Sequence, residues 1–211
     1  MDPNGIPTVG LGGRAFKDYD HLVAERAVRP DGAARYARRA AASGGHHTLD
    51  ETEQAVAEHL VGLSVDMRSM SAVQNVYRAA NAFRNHLERS VLAPHDLTWT
   101  GWVVLWVVWI WDDIETRHAA VEAGISKGTL TGVVGTLEKR GLLRRRGHPD
   151  DARRVLLTLT PKGRRLMIEV FPEFNAEEAR LVAALSATEK VQLATSLRKA
   201  VVSLDDEASA R

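Results

Sequence analysis

At Gly124-Ile125-Ser126 the chain closes one helix and opens another within three residues, and this junction restricts the available folds more than any other feature. Glycine fits the left-handed conformation that ends a helix. Serine caps the next helix, whose Leu130, Val133, Val134 and Leu137 fall at i, i+3, i+4 and i+7. The segment before the turn, Ile114 to Ala123, reads as a short helix with small or apolar Ala119, Ala120 and Val121. Helix, glycine turn and capped second helix is the helix-turn-helix pattern.

The second helix turns Lys127, Thr129, Thr131, Gly132 and Thr136 away from its apolar face. Hydroxyls near a helix N-terminus bond base edges or phosphates, lysine meets phosphate, and free backbone amides attract it too. Threonines also decorate ordinary solvated helices, so this face alone leaves both readings open. The following residues weigh toward DNA. Leu142-Leu143-Arg144-Arg145-Arg146 and Val155-Leu156-Leu157-Thr158-Leu159 are β-prone, and the polar stretch Gly147 to Arg154 joins them as a wing-like hairpin.

Charge placement supports the same direction. The whole chain of 211 residues is nearly neutral, with 28 Lys+Arg against 27 Asp+Glu. Between Glu138 and Arg165, however, ten basic residues face three acidic ones, an electrostatic footprint for a phosphate backbone. Cysteine is absent, which removes disulfides, thiolate nucleophiles and Cys-based zinc sites. His46-His47, His86, His95 and His118 share no metal-like spacing with carboxylates, and no glycine-rich phosphate loop, Gly-x-Ser-x-Gly or His-Glu-x-x-His is present. The expectation is therefore a protein that is not an enzyme, with no metal and no cofactor.

Helical stretches flank this middle. Asp50 with Glu53 reads as a capping box opening a helix with Val56, Leu60 and Leu63. Val73, Val76, Tyr77, Ala80, Phe83, Leu87 and Val91 form the stripe of a longer helix ending before Pro94. Thr160-Pro161 opens a helix carrying Met167, Val170, Phe171, Phe174, Leu181 and Leu185, which Pro172 is expected to kink. Ser186 and Glu189 cap a last helix with Val191, Ala194, Leu197, Val201 and Leu204. The middle spends its apolar faces on its own core, so the flanking stripes need a second copy, and a two-fold homodimer is expected rather than a monomeric bundle. Residues 1–48, rich in Gly, Ala and Arg, read as a flexible or weakly helical extension; Arg35, Arg38 and Arg39 there read as a solvated run or a polyanion contact. Met1 to Gly13 lacks a secretory pattern, and the longest apolar run, Trp102 to Trp111, is half the roughly 20 residues that span a membrane. A soluble, cytoplasmic protein with no membrane partner is the expectation.

All five tryptophans lie within thirteen residues, and Trp99, Trp102, Trp106 and Trp109 line one side of a helix. Two readings stand: a packed core helix, or the wall of a ligand cleft offering stacking surface and indole N–H donors.

Several linked motifs resemble the winged helix-turn-helix of the MarR family of bacterial transcriptional regulators. They are Leu97-Thr98, Ile125 to Thr131, Leu137-Glu138-Lys139-Arg140-Gly141-Leu142-Leu143, Pro149 to Arg154, and Leu159-Thr160-Pro161-Lys162-Gly163. The resemblance covers roughly residues 66 to 204. It implies a mainly α fold with a small β wing: N-terminal dimerisation helices over 49–96, the DNA-binding domain over 97–160, and C-terminal dimerisation helices over 161–211. It further implies a homodimer on a pseudopalindromic DNA operator, most simply a repressor. Residues placed at DNA are Ser126, Lys127, Thr129 and Thr131 on the recognition helix, Ser126 to Arg140, and Arg144, Arg146, His148, Asp151, Arg153 and Arg154 in the wing. In the family's Asp-x-Arg element, matched by Asp151 and Arg153, the carboxylate positions an arginine for the minor groove, with Arg154 the neighbour if the register slips by one.

The family's small aromatic or phenolic effectors bind beside the tryptophan helix, which implies a small organic effector at Trp99, Trp102 and Trp106, with Arg84 and His86 available to an anionic group. Val103 stands where the urate-responsive subgroup carries an acid, and the lack of cysteine excludes the peroxide-sensing thiol mechanism of another subgroup. Gly132 and Gly135 depart from the family's larger polar residues and bear on the operator sequence. The alternative is a winged-helix protein interaction module without specific DNA binding.

Overall fold

The computed structural model describes residues 48–149 and 151–209, so the expectations for residues 1–47, including Arg35, Arg38, Arg39 and His46-His47, lie outside it. The chain divides into two compact units between Ala72 and Val73. In the first, helix α1 (Leu49–His59) opens on a capping box made by Thr48 and Glu51, two residues before the expected Asp50 and Glu53. Thr48 holds the extended conformation of a cap, its hydroxyl accepts from the Glu51 amide at 3.2 Å, and the Glu51 carboxylate accepts the Thr48 amide at 2.8 Å. The helix stops at His59, short of Leu63. Helix α2 (Met67–Leu87) starts here too, with Asp66 accepting from the Arg68 and Ser69 amides.

In the second unit α2 runs on into a π-helical turn (Glu88–Leu92) and a 3-10 turn (Ala93–His95) that holds Pro94. Helix α3 (Trp99–Trp111) is capped by the Thr98 hydroxyl, which accepts from the Gly101 amide at 3.1 Å. Trp102, Val104, Leu105, Val107 and Val108 are all buried, so apolar residues on most sides make α3 the central helix of the core.

Ile114 and Glu115 correct the expected helix over Ile114–Ala123. They form strand β1, paired antiparallel with Leu157 and Leu156, and helix α4 starts only at Thr116 (Thr116–Glu122). Buried Ile114 supplies a third strand that no local pattern announces, because two residues carry no period. Helix α5 (Lys127–Lys139) follows Gly124, whose φ is +62°, and the Ser126 cap, whose side chain accepts from the Thr129 amide. Leu130, Val134 and Leu137 of α5 are buried.

Strands β2 (Leu143–His148) and β3 (Asp151–Leu159) complete a sheet of order β1-β3-β2. The strands run further than expected: Gly147, His148 and Arg153-Arg154 belong to them rather than to an eight-residue loop. Paired backbone groups continue to an irregularity at Gly147/His148, next to the tip.

Helix α6 (Pro161–Leu181) begins at the Thr160 cap and continues through Pro172, and α7 (Ala187–Ser209) begins at Ser186. The Glu189 carboxylate accepts from the Ser186 amide and hydroxyl at 2.8 and 2.7 Å, completing the second capping box. Met167, Val170 and Phe174 of α6 enter the core, whereas the apolar residues of α7, Val191, Leu193, Leu197, Val201, Val202 and Leu204, are all exposed. Val73, Val76 and Tyr77 of α2 are exposed as well. Among the described residues no helix is long and apolar enough to cross a membrane.

Glu177 on α6 ties this unit internally. It bonds the His86 imidazole at 2.9 Å and accepts from Arg180 at 2.7 Å; the His86 hydrogen bond, with help from Arg180, holds its carboxyl below the usual glutamate value of 4.5. A carboxyl depressed by folding stabilises the native state above its unfolded value, and that stability is lost as pH falls through the folded value. Asp66, held down first by the Ser69 hydroxyl, and Glu189, held down first by the Ser186 hydroxyl, act in the same direction. We expect Tm to fall on acidification below pH 4.5, and Glu177→Gln to make that fall shallower than in the parent. An unchanged slope in a Tm series across this range would remove Glu177 from the acid response.

Candidate nucleic-acid interface and adjoining cavity

The recognition helix is fixed at both ends by backbone bonds that its own sequence supplies. At its C-terminus the Leu142 amide donates to Leu137 and the Gly141 amide to Glu138, with Gly141 at a φ of +68°. Helix α6 then sits on that turn: the Thr160 hydroxyl donates to the Gly141 carbonyl at 2.6 Å, and Lys162 Nζ donates to the Arg140 carbonyl at 2.9 Å. Arg140, at the end of the family-like Leu137–Leu143 motif, donates to the carbonyls of Asp96 and His95, the latter at 2.8 Å. It is thereby a brace between α5 and the start of α3.

Ser126, Lys127, Thr129, Thr131, Gly132 and Thr136 are all exposed, as the sequence anticipates. Their hydroxyls are partly committed. Ser126 and Thr129 bond each other at 2.8 Å, Thr131 donates to the Lys127 carbonyl at 2.9 Å, and Thr136 to the Gly132 carbonyl at 3.1 Å. A threonine whose proton is turned back to its own helix presents lone pairs and a methyl group outward. Those suit amino donors and thymine methyls in a major groove. A Cβ on Gly132 or Gly135 would have no neighbour within 4 Å, so the fold of this chain does not require either glycine.

The wing sorts its arginines into two groups. Arg154 is paired with Glu115, which is only 10% exposed and also bonds Arg117 at 3.0 Å. Arg146 is paired with Asp113, which accepts from Thr158 too, Arg145 with Glu138, and Arg164 with Asp112 at 2.7 Å. Asp112, Asp113 and Glu115 lie outside the stretch from Glu138 to Arg165, so the basic excess counted along the chain is partly neutralised by folding. Arg153 is different. It is 94% exposed, its amide donates to the Asp151 carboxylate at 3.0 Å, and its Nε lies 3.7 Å from the same oxygen. Arg144 is exposed on β2, and His148 is half-buried next to the tip. A groove of about 500 Å³ between α5 and the wing is lined by Lys127, Thr131, Arg117 and Arg145 among others. Arg117 carries no signal in the chain, because it stands far upstream of the basic run and arrives through β1 and α4.

The tryptophan stripe is both core and cavity wall. Trp102 is 3% exposed and stacks on Phe174 at 4.7 Å, and Trp106 stacks on Phe171 at 5.0 Å with Trp109 edge-on. A cavity of about 310 Å³ remains beside these stacks, lined by Trp99, Trp102, Val103, Trp106, Phe171, Phe174 and Glu178. Phe171 and Phe174 read as ordinary stripe residues in sequence; their place in the cavity depends on how α6 crosses α3. Arg84 does not line it: the side chain is exposed and donates to Asn81 on its own helix at 3.4 Å. His86 is taken by Glu177.

A capped recognition helix, a basic two-stranded wing and a third strand closing the sheet define a winged helix-turn-helix DNA-binding protein. Residues 97–155 match the MarR family model. The chain is 34% identical over 154 residues to the uncharacterized HTH-type transcriptional regulator YwaE of Bacillus subtilis, covering 73% of this chain and 87% of that one. It belongs to the MarR family and is a transcriptional regulator. Among solved structures, Bordetella bronchiseptica BpsR, described in terms of regulation of its DNA binding by 6-hydroxynicotinic acid, is 27% identical with a TM-score of 0.57, over 62% of this chain and 98% of that one. AbsC, a MarR family regulator from Streptomyces coelicolor, shares the fold at 22% identity and a TM-score of 0.61, over 67% of this chain and 97% of its own.

Proposed function

We propose that this protein is a homodimeric repressor that binds a pseudopalindromic operator and is released from it by a small aromatic ligand. The observation that carries the proposal is Arg153 at the wing, 94% exposed and loosely paired at 3.7 Å with its near neighbour Asp151, whereas Arg154, Arg146 and Arg145 are closely held by Glu115, Asp113 and Glu138. An arginine restrained by a neighbouring carboxylate loses less conformational freedom on entering a narrow, electronegative minor groove. The recognition helix is positioned for the major groove by Ser126, Lys127, Thr129 and Thr131, and Arg144 adds phosphate attraction.

The dimer is supported by α7. This helix of 23 residues exposes all its large apolar side chains, and an isolated helix gains little stability without tertiary packing. A second copy, contributing α7 and the Val73–Tyr77 face of α2, would cover these residues by two-fold symmetry. The ligand reading is supported by the aromatic cavity, whose size falls within the range of small-molecule sites. By likeness to BpsR, its occupancy would act on DNA binding.

The test is titration of the purified protein against duplexes tiling its own upstream region, at two salt concentrations with competitor DNA. Competitor-resistant binding to one short segment is expected. Arg153→Ala is expected to weaken it about tenfold or more and to lower the salt slope by about two ions, one from each wing, with the dimer intact. Unchanged affinity would remove Arg153 from the interface. Weak, sequence-blind binding by the parent would favour the interaction-module reading instead.

A further inference from the structure

The cavity beside α3 has a defined electrostatic character. Five aromatic residues line it, Trp99, Trp102, Trp106, Phe171 and Phe174, and among the described residues its one charged lining group is the Glu178 carboxylate. Glu178 accepts from Asn175 through one oxygen at 3.1 Å and is exposed at the rim. The side chains of Arg180 and His86 both turn to Glu177, and that of Arg84 to Asn81.

Aromatic faces carry negative potential and attract cations, tryptophan most strongly. A carboxylate at the mouth adds to that attraction and opposes an anion. A phenolate or carboxylate ligand would meet electron-rich rings and a like charge, with no lining cation among the described residues to offset them. From this arrangement we infer that the cavity selects a planar aromatic cation, a quaternised or protonated nitrogen heterocycle or aromatic amine, seated between the rings with its charge toward Glu178. This rests on the ligand reading given above and adds the sign of the ligand's charge.

The test uses three probes with one ring system and three charges at pH 8: N-methylquinolinium, quinoline and quinoline-2-carboxylate. All five tryptophans lie on α3 and three line the cavity, so quenching of tryptophan emission reports occupancy, with calorimetry as an independent measure of affinity. We expect N-methylquinolinium to bind about tenfold more tightly than quinoline, as cation–π attraction plus a rim carboxylate permits, and the carboxylate probe to bind weakest. Glu178→Gln lies at an exposed position and preserves shape; it is expected to weaken the cation about threefold to fivefold while leaving quinoline within about twofold. Equal or tighter binding of the anion, or a cation affinity unmoved in Glu178→Gln, would overturn the charge assignment and keep the cavity as a ligand site. Failure of all three probes to bind would overturn the ligand reading, and this inference with it.

Discussion

Gly163→Ala is expected to cost this protein about 3 kcal/mol or more, lowering Tm by roughly 6 to 12 °C, because a methyl group there has nowhere to go. An added Cβ would lie 2.9 Å from the Leu142 carbonyl carbon and closer still to its oxygen. That carbonyl cannot retreat: it accepts from the Thr160 amide at 3.0 Å, and it belongs to the turn that ends the recognition helix. Relief would have to come from lifting the first turn of α6, which would also strip the Lys162 bond to Arg140. Gly147→Ala is the control, since a Cβ there meets open space. The measurement is thermal unfolding at one fixed protein concentration, since association makes Tm concentration-dependent. Equal Tm values for the two variants would show that α6 is not seated on Leu142 as described.

The second large effect concerns assembly. Leu197→Glu combined with Val201→Lys places an opposite-charge pair at i, i+4 on exposed positions of α7, an arrangement that supports an isolated helix. Circular dichroism checks that the helical content of the variant matches the parent, which separates loss of the seam from loss of the helix. If α7 packs against a second copy, these charges sit in the apolar seam, and sedimentation is expected to give the mass of one 23.2 kDa chain. Operator affinity is expected to drop about 100-fold or more, because two linked half-site contacts become independent. A variant that remains dimeric and binds as the parent does would place the subunit interface elsewhere.

The elements whose signals are local were legible in the chain. Gly124 and Ser126 end and begin helices through backbone conformation and one side-chain bond, Thr160-Pro161 does the same for α6, and the leucines and valines of α5 point inward by period alone. The wing was legible as a hairpin, although its pairing reaches closer to the tip than the polar composition suggested. Strand β1 was not legible, because its identity comes from Leu156 and Leu157 of a strand some forty residues later. The capping box of α1 was displaced by two residues, since Thr48 and Asp50 are both able to cap and only the backbone conformation selects one.

The candidate site divides along the same line. A recognition helix, a wing with Asp151 beside Arg153, a tryptophan helix and spare apolar faces at both flanks can all be read along the chain, because each is a property of neighbouring residues or of a short period. Which arginines remain available depends on folding, because Glu115, Asp112 and Asp113 reach the wing and α6 from a distant part of the chain and pair with Arg154, Arg164 and Arg146. Folding likewise decides that Phe171, Phe174 and Glu178 complete the aromatic cavity while Arg84 stays outside it. Coulomb and stacking interactions act over a few ångströms of space whatever the separation in sequence, so the charge of a surface and the lining of a cavity are set when the helices cross.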